Sequence, residues 1–188
     1  MGRNVEIKAV LRNRQAAELI AQRLGGKGPE IIDQEDIFFA CNDARLKLRI
    51  FDSSRGELIR YKRPDLEGPR ISEYTIAHTQ DPLALRTILA ETLGQIGSVK
   101  KRRTLYLIGQ TRVHLDDVEG LGDFLEFEVV LHPEQSEAEG EKVAREFIRQ
   151  FGIRPGDLIA RPYVDLLPES PIAASKAGHY NSARNNID

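Results

Sequence analysis

The chain of 188 residues is poor in several features that define large classes of proteins. It contains one cysteine, Cys41, which excludes an intramolecular disulfide and is compatible with a reducing compartment. No stretch of the sequence approaches the roughly 20 apolar residues of a membrane span. The first residues are charged and enter a predicted strand at once, so we expect no signal peptide and a cytoplasmic protein that does not enter the membrane.

An excess of positive charge is also missing. The 27 basic and 29 acidic residues give a net charge of −2, whereas nucleic-acid-binding proteins usually carry a basic excess. Nucleic acid is therefore not the expected partner, although a local basic cavity is compatible with this total. The sequence has no internal repeat of fixed period, and its length is sufficient for one domain with a hydrophobic core.

Charged and apolar residues alternate with a period of two in several segments. In the first predicted strand, Asn4, Glu6 and Lys8 share one face, and apolar residues occupy the other. A later segment places Glu126 and Glu128 on one face in the same way. Carboxylates gathered in one place repel each other unless a cation joins them, and hard divalent cations take oxygen ligands. The two segments therefore predict a divalent-metal site.

A third alternating segment carries positive charge. Arg45, Lys47 and Arg49 share one face of a predicted strand. A solvated sheet face of mixed charge would explain any one of these segments alone. The signs are segregated by strand, however, and a row of three cations is unfavourable unless it meets a polyanion. The segregation therefore favours a polyanion as the ligand.

Turn-forming residues divide the chain into strands and helices. Asn13 and Asp81 are placed to cap two helices, and Gly25 and Gly26 are placed to end the first. The connections between strands are short, which implies antiparallel pairing. The predicted helices are 14–24, 82–94 and 134–151, and the predicted strands are 4–11, 31–40, 44–51, 57–63, 70–78, 97–108, 110–117 and 123–131.

Eight strands with one polar face allow two architectures. An open sheet would expose the polar face to water, whereas a closed barrel would turn it inward and let helices cover the apolar outside. The segregated charges favour closure, because an interior lined by cations and carboxylates suits a metal and a polyanion. We therefore predict an α+β fold with a closed eight-stranded antiparallel β-barrel, a polar interior and covering helices, in residues 1–167. Residues 168–188 lack apolar periodicity and are predicted to be a disordered polar tail.

These motifs resemble the CYTH superfamily, also called triphosphate tunnel metalloenzymes. The signature of that family is Glu-x-Glu-x-Lys near the N-terminus, and Asn4-Val-Glu-Ile-Lys8 fills this place. The resemblance spans roughly residues 3–167, and several motifs occur in the family's order. The further matches are Arg45-Leu-Lys-Leu-Arg49, Lys101-Arg-Arg103 with Tyr106, Arg112-Val-His-Leu-Asp116, Gly120-Leu-Gly-Asp-Phe-Leu-Glu-Phe-Glu128 and Tyr163-Val-Asp-Leu-Leu167.

The resemblance implies an eight-stranded tunnel that holds a triphosphate, with carboxylates binding Mg²⁺ or Mn²⁺. Within the superfamily the chain looks most like the bacterial class IV adenylyl cyclases. Glu6, Glu126 and Glu128 are the implied metal ligands, with Asp116 as a fourth. Some other members of the superfamily hydrolyse thiamine triphosphate or inorganic tripolyphosphate.

The triphosphate-binding residues are predicted from the resemblance together with strand parity. In segment 57–63, Arg60 and Lys62 alternate with Tyr61 and Arg63, and Lys62 is selected although the parity there is ambiguous. Arginine offers a planar fork to phosphate oxygens, and lysine offers a compact charge. The predicted triphosphate-binding residues are Lys8, Arg45, Lys47, Arg49, Lys62, Lys101, Arg103 and Arg112.

Three of the predicted tunnel residues are candidate catalytic groups, namely Lys8, Arg112 and His114. Histidine titrates near neutrality, so His114 is a candidate general base, but a hydrogen-bond donor that lines the tunnel is the favoured interpretation. Asn4 departs from the family signature. An amide oxygen can ligate a metal but brings no charge, so the metal site is expected to be altered.

The sequence leaves several functions open. A cyclase would direct the ribose 3′-oxygen at the α-phosphate of ATP, and a hydrolase would direct water at the terminal phosphate of tripolyphosphate or thiamine triphosphate. Asn4 keeps a non-catalytic triphosphate- or nucleotide-binding protein as a further alternative. An RNA-end triphosphatase fits less well, because the chain lacks a basic excess. A homodimer is possible, but no pattern in the sequence specifies one.

Overall fold

Eight antiparallel strands close into a barrel in the computed structural model, which describes residues 1–168. This confirms the predicted α+β fold with a closed eight-stranded β-barrel and covering helices. The predicted tail lies outside the described residues except for Pro168. In the described part of the chain, none of the helices has the length and apolar character needed to cross a membrane.

The strands and helices follow the predicted order. The strands are β1 (Gly2–Val10), β2 (Lys27–Phe39), β3 (Arg45–Asp52), β4 (Arg55–Lys62), β5 (Arg70–Thr79), β6 (Gln95–Ile108), β7 (Thr111–Val118) and β8 (Gly122–Val130). The helices are α1 (Arg14–Arg23), α2 (Pro82–Leu93) and α3 (Glu137–Gln150), and two 3₁₀ turns follow at Pro155–Asp157 and Tyr163–Asp165.

The order of strands around the barrel is β1-β5-β4-β3-β2-β6-β7-β8. Strands β6, β7, β8 and β1 are therefore neighbours and form one wall, here called the charged wall. Strands β2, β3, β4 and β5 form the other wall, here called the mixed wall. Every pair of neighbouring strands is antiparallel.

Helix caps and strand pairing set the bounds of the elements. The side chains of Asn13 and Asp81 accept hydrogen bonds from the first turns of α1 and α2, as predicted. Helix α3 begins two to three residues later than predicted because Ser136 and Glu139 form a capping box at its start. Strand β2 begins earlier than predicted, since its first residues pair with β6 while their exposed side chains carry no apolar pattern.

The apolar faces of the strands point outward and are covered by helices. Val5 and Ile7 of β1 pack with Phe127 of β8 in a core that α3 completes with Ala144 and Phe147. Helix α1 covers β7 in the same core, and α2 covers a second cluster on β2 and β3. Burial of these faces forces the alternate residues, most of which are polar, into the barrel.

Candidate functional site

The interior of the barrel is a cavity of about 810 Å³, including its mouth. Each of the eight strands supplies at least one lining side chain, and Pro162 and Tyr163 line it from the segment after α3. The predicted site residues that line it are Glu6, Lys8, Lys47, Arg49, Lys101, Arg103, Arg112, Glu126 and Glu128.

A buried aspartate holds two cations on the charged wall. Asp116 is fully buried and accepts a hydrogen bond of 2.9 Å from Lys101 Nζ. It also accepts two hydrogen bonds from Arg103, of 2.7 Å from Nε and 2.6 Å from Nη2. Both of its oxygens are thus engaged, and Asp116 does not line the cavity. A fourth metal ligand would need a free carboxylate oxygen that faces the cavity. Asp116, which was predicted for this role, does not provide one, because the cations of β6 surround its carboxylate.

A second buried aspartate repeats this arrangement on the mixed wall. Asp36 is 3% exposed and accepts a hydrogen bond of 2.9 Å from Lys47 Nζ. Arg49 donates two more, of 2.8 Å from Nε and 3.1 Å from Nη2. Asp36 balances only one of its two cations, so this cluster keeps an unbalanced positive charge, whereas Arg103 of the other cluster also donates to Glu126 at 2.8 Å. Both clusters hold their cations in fixed positions, and the cluster on the mixed wall has positive charge left for a polyanion.

Glu126 and Glu128 project from β8 into the cavity, both largely buried. Lys8 Nζ lies 3.4 Å from Glu126 Oε1, and Arg103 Nη2 donates to Glu126 Oε2 at 2.8 Å. Burial alone would raise the pKa of Glu126, but Lys101, Lys8 and Arg103 hold it well below the usual range. The pKa of Glu128 is also lowered, because nearby cations outweigh the effect of burial. Both side chains are therefore carboxylates at neutral pH.

These carboxylates fit a divalent cation. Glu6 lies directly opposite Glu128 in the pairing of β1 with β8, and both line the cavity. Like charges in directly opposed positions are destabilising unless a cation lies between them. Asn4 Oδ1 and His114 Nδ1 are buried nearby without hydrogen-bond partners within residues 1–168. Carboxylates and unpartnered donor atoms of this kind are the ligands that a divalent cation takes.

The structure corrects the predicted orientation of β4. Lys62 lies on the outer face, where it is half exposed and its Nζ is 3.2 Å from Asp43. The cause is a bulge at Phe51, since Asp52 pairs with Arg55 but Ile50 pairs with Gly56. One extra residue moves every β4 side chain to the opposite face.

Arg63 therefore occupies the position that was predicted for Lys62. Its guanidinium is 6% exposed and donates to Glu6 at 2.6 Å and to the carbonyl of Ala160 at 3.3 Å. Arg45 lies outside the cavity lining and pairs with Asp65. Arg63 is thus the residue that places a guanidinium on this side of the tunnel.

Two further buried residues contribute to the site, and neither has a role that was predicted from the sequence. Arg70 is 2% exposed and donates to the carbonyls of Leu66 at 2.7 Å and of Ile159 at 3.2 Å. The ring of Tyr163 lies under Lys8, with Nζ 3.6 Å from the ring centroid, and its hydroxyl donates to Asp116 at 3.4 Å. The contacts of both residues depend on the segment after α3. No periodic pattern in the sequence predicts how this segment packs against the barrel.

His114 projects inward from β7 but does not line the cavity surface. It is 3% exposed and lies opposite Glu126 in the pairing of β7 with β8. Burial lowers the pKa of His114, and the charge of Arg103 lowers it further. The predicted role as a general base requires contact with a reacting group, and this buried position behind the two glutamates does not provide it.

The model of the family described as the CYTH domain matches residues 2–163. The chain belongs to the CYTH domain family. A Methanocaldococcus jannaschii protein, provisionally named an adenylate cyclase, is 26% identical over 170 residues, which cover 86% of this chain and 97% of that protein. Membership of this family thus explains the tunnel and the motifs that line it.

Two solved structures show the same CYTH fold. A Pyrococcus horikoshii protein matches with a TM-score of 0.76 and 25% identity, covering 88% of this chain and 99% of that one. A Hippeastrum protein provisionally called an adenylyl cyclase matches with a TM-score of 0.55 and 18% identity, covering 93% and 96%. That protein is described as having a dominant triphosphatase activity.

Arg63 and Lys62 allow a matched test of the CYTH tunnel in this chain. Replacing Arg63 by glutamine should weaken the affinity for tripolyphosphate by about tenfold or more, since Arg63 lines the cavity and its Nε has no partner within residues 1–168. Replacing Lys62 by glutamine should change it by less than about twofold, because Lys62 lies outside. Calorimetric titration of both variants measures the difference, and equal losses would contradict the assigned register of β4.

The pH dependence of triphosphate binding follows from Lys47. Burial lowers the pKa of Lys47 to about 8. The carboxylate of Asp36 acts against this shift, and the positive charges of Arg49 and Lys101 add to it. Below this pKa the ammonium is charged and binds phosphate, and above it the amine is neutral. We therefore expect the affinity for tripolyphosphate to fall as the pH rises from about 7 to about 9.

Lys8 adds to this pH dependence, since burial lowers its pKa to about 8 as well. Calorimetry in two buffers of different ionisation enthalpy should show proton uptake on binding near pH 8. The Lys47→Arg variant keeps its charge and should take up fewer protons. An affinity that stays constant or increases with pH would contradict the assignment.

Proposed function

We propose that this protein is a metal-dependent enzyme that acts on an organic triphosphate, converting ATP to cyclic AMP and pyrophosphate like the class IV adenylyl cyclases. The observation that carries the proposal is an apolar row on the mixed wall of the same cavity. Phe38, Ile59 and Ile76 lie at one level, since Phe38 pairs with Lys47, Lys47 with Ile59, and Ile59 with Ile76. Tyr61 and Tyr74 pair beside them and also line the cavity.

An apolar row beside a charged wall suits a substrate with both kinds of surface. Inorganic tripolyphosphate has no apolar part, whereas a nucleoside triphosphate carries an aromatic base. In the proposed complex, the phosphates lie between the cations of the two walls. The base lies against Phe38, Ile59 and Tyr61. The affinity for ATP should therefore exceed the affinity for tripolyphosphate.

The roles of the chain's own residues follow from their positions. Lys101 and Arg103 on one wall, and Lys47 and Arg49 on the other, hold the phosphate oxygens and stabilise the charge of the departing pyrophosphate. Glu6, Glu126 and Glu128 hold Mg²⁺ or Mn²⁺, which when bound supplies neutralisation of the phosphate charge. Asp116 and Asp36 keep the cations in position. Tyr163 fixes Lys8 from below.

Hydrolysis is the second candidate function. It is supported by the Hippeastrum protein, which shares the fold and is described as mainly a triphosphatase. The charged wall would serve both reactions, because both transfer a phosphoryl group between oxygens. The reactions differ in whether the ribose 3′-oxygen or a water molecule attacks, and at the α-phosphate or the terminal phosphate.

Product analysis tests the proposal. Purified protein is incubated with ATP, tripolyphosphate or thiamine triphosphate, each with Mg²⁺ or Mn²⁺, and the products are separated by ion-exchange chromatography. Cyclic AMP together with pyrophosphate would support the cyclase, and orthophosphate without cyclic AMP would support the hydrolase. Cytoplasmic location stays a prediction of the sequence, whereas no pattern in the sequence specifies a homodimer.

Asn4 provides the test of a non-catalytic binding protein. Its amide lines the cavity at the place where the family signature carries a glutamate. If triphosphates bind without turnover under either metal, Asn4→Glu should create activity in a protein that lost it through this substitution. Similar activity before and after the change would show that the tunnel tolerates the amide.

A further inference from the structure

A histidine and two glutamates converge at the inner face of β7 and β8. His114 Nδ1 lies 3.9 Å from Glu126 Oε2 and 3.8 Å from Glu128 Oε1. These separations are too long for hydrogen bonds. Within the described residues His114 Nδ1 has no hydrogen-bond partner, although the side chain is only 3% exposed. A buried nitrogen that faces two carboxylates and has no hydrogen-bond partner among the described residues is a candidate metal ligand.

The strand register produces this triad and keeps it in place. His114 lies directly opposite Glu126, and Glu128 lies two residues farther along β8 on the same face. Arg103 holds Glu126 at 2.8 Å, and Arg112 holds Glu128 at 3.2 Å. Arg112 donates to Glu128 Oε2 and leaves Oε1, the oxygen nearer His114, available. On Glu126 the oxygen nearer His114, Oε2, also accepts from Arg103, so a cation bound there would share this oxygen with the guanidinium.

The dimensions of the triad suit one cation. The three ligand atoms all lie within 4.8 Å of one another. Bonds of about 2.1 Å from a metal to nitrogen and oxygen place two ligands of one ion about 3 to 4 Å apart. Small rotations of the glutamate side chains would bring all three atoms to such a distance.

We propose that His114, Glu126 and Glu128 together bind one first-row transition-metal ion, and that the imidazole nitrogen makes this site prefer Mn²⁺ to Mg²⁺. Mg²⁺ retains oxygen ligands and several waters, whereas transition metals accept a nitrogen ligand readily. This inference rests on the proposed function, because it names the cation and a further ligand of the same site. It makes His114 a metal ligand and leaves proton transfer to other groups.

Magnetic resonance on the Mn²⁺-loaded full chain tests the site without measuring activity. Pulsed electron paramagnetic resonance should show coupling of Mn²⁺ to one ¹⁴N nucleus in the wild-type protein. The His114→Gln variant should lose this coupling and bind Mn²⁺ at least about tenfold more weakly, while its Mg²⁺ affinity, measured by competition, should stay within about twofold.

His78→Gln is the matched control. His78 also lies on a strand beside a glutamate, with Nδ1 3.6 Å from Glu57, but its side chain is 81% exposed. This variant should keep both the nitrogen coupling and the wild-type affinity for Mn²⁺. Coupling that persists in His114→Gln, or is lost in His78→Gln, would overturn the assignment.

The wild-type spectrum decides the question even if His114→Gln fails to fold. Absence of ¹⁴N coupling in Mn²⁺-loaded wild-type protein would overturn the proposal. Turnover with Mg²⁺ but no nitrogen coupling would leave the enzyme proposal standing and refute the metal site. Nitrogen coupling without turnover of any triphosphate would support the metal site and refute the enzyme proposal.

Discussion

Replacing Glu126 by glutamine is expected to lower metal-dependent turnover of the triphosphate by about 100- to 1000-fold. Glutamine keeps the size of the side chain but removes the charge that the metal and the cations Lys8 and Arg103 require. The loss should appear in kcat, because charge neutralisation matters most in the transition state. Steady-state kinetics over a range of Mn²⁺ concentrations measure it.

Glu73→Gln provides the control for the loss of one glutamate from a barrel strand. Glu73 lies on β5 with its side chain on the outer, exposed face. Its replacement should change kcat by less than about twofold, as for other exposed surface charges. If Glu126→Gln retained kcat within about threefold of the wild type, the assignment of Glu126 to the metal site would be wrong.

The second large effect concerns stability. Replacing Asp116 by alanine should lower the free energy of unfolding by about 3 to 5 kcal/mol, because it leaves Lys101 buried without its hydrogen-bonded carboxylate and leaves Arg103 with Glu126 alone. The two cationic side chains are only 3% and 4% exposed, so water cannot replace the carboxylate. Urea denaturation followed by circular dichroism measures the change.

Tripolyphosphate should partly rescue the Asp116→Ala variant. The polyanion supplies the negative charge that the substitution removes, so it should raise the unfolding midpoint of the variant more than that of the wild type. Asp117→Ala is the matched control, since Asp117 is the next residue and its side chain is exposed on the outer face. A loss below about 1 kcal/mol for Asp116→Ala would contradict its role as the anchor of the cations.

Strand parity predicted most of the inner face of the barrel. Glu6 and Lys8 on β1, and Glu126 and Glu128 on β8, lie inside because the residues between them are apolar and pack under helices. The orientation of such strands can be predicted from the sequence, because only one face can be buried against helices.

The misassignment of Lys62 has a specific physical cause. A two-residue turn at Ser53 and Ser54 without a bulge would have set Lys62 opposite Arg45 and inside the barrel. The bulge at Phe51 shifts the pairing by one residue, and Arg45 then lies opposite Tyr61. Both faces of β4 carry charged residues, so the alternation alone could not reveal the shift.

The buried ion pairs were the other feature that could not be predicted from the sequence. Asp116 was predicted as a metal ligand from its motif, and nothing in the motif shows that Lys101 and Arg103 engage both of its oxygens. The contribution of Tyr163 depends on how the segment after α3 returns to the barrel. Such long-range contacts follow from tertiary packing, which local patterns do not encode.

The two aspartate-held clusters of cations are proposed to bind the phosphate chain of the substrate. Calorimetric titration of the wild-type protein with AMP, ADP and ATP in the presence of Ca²⁺ is the direct test. We expect the affinity to rise by about tenfold or more with each added phosphate, since each one meets further buried cations. Equal affinities for the three nucleotides would show that the tunnel does not recognise the phosphate chain and that this role of the cations is wrong.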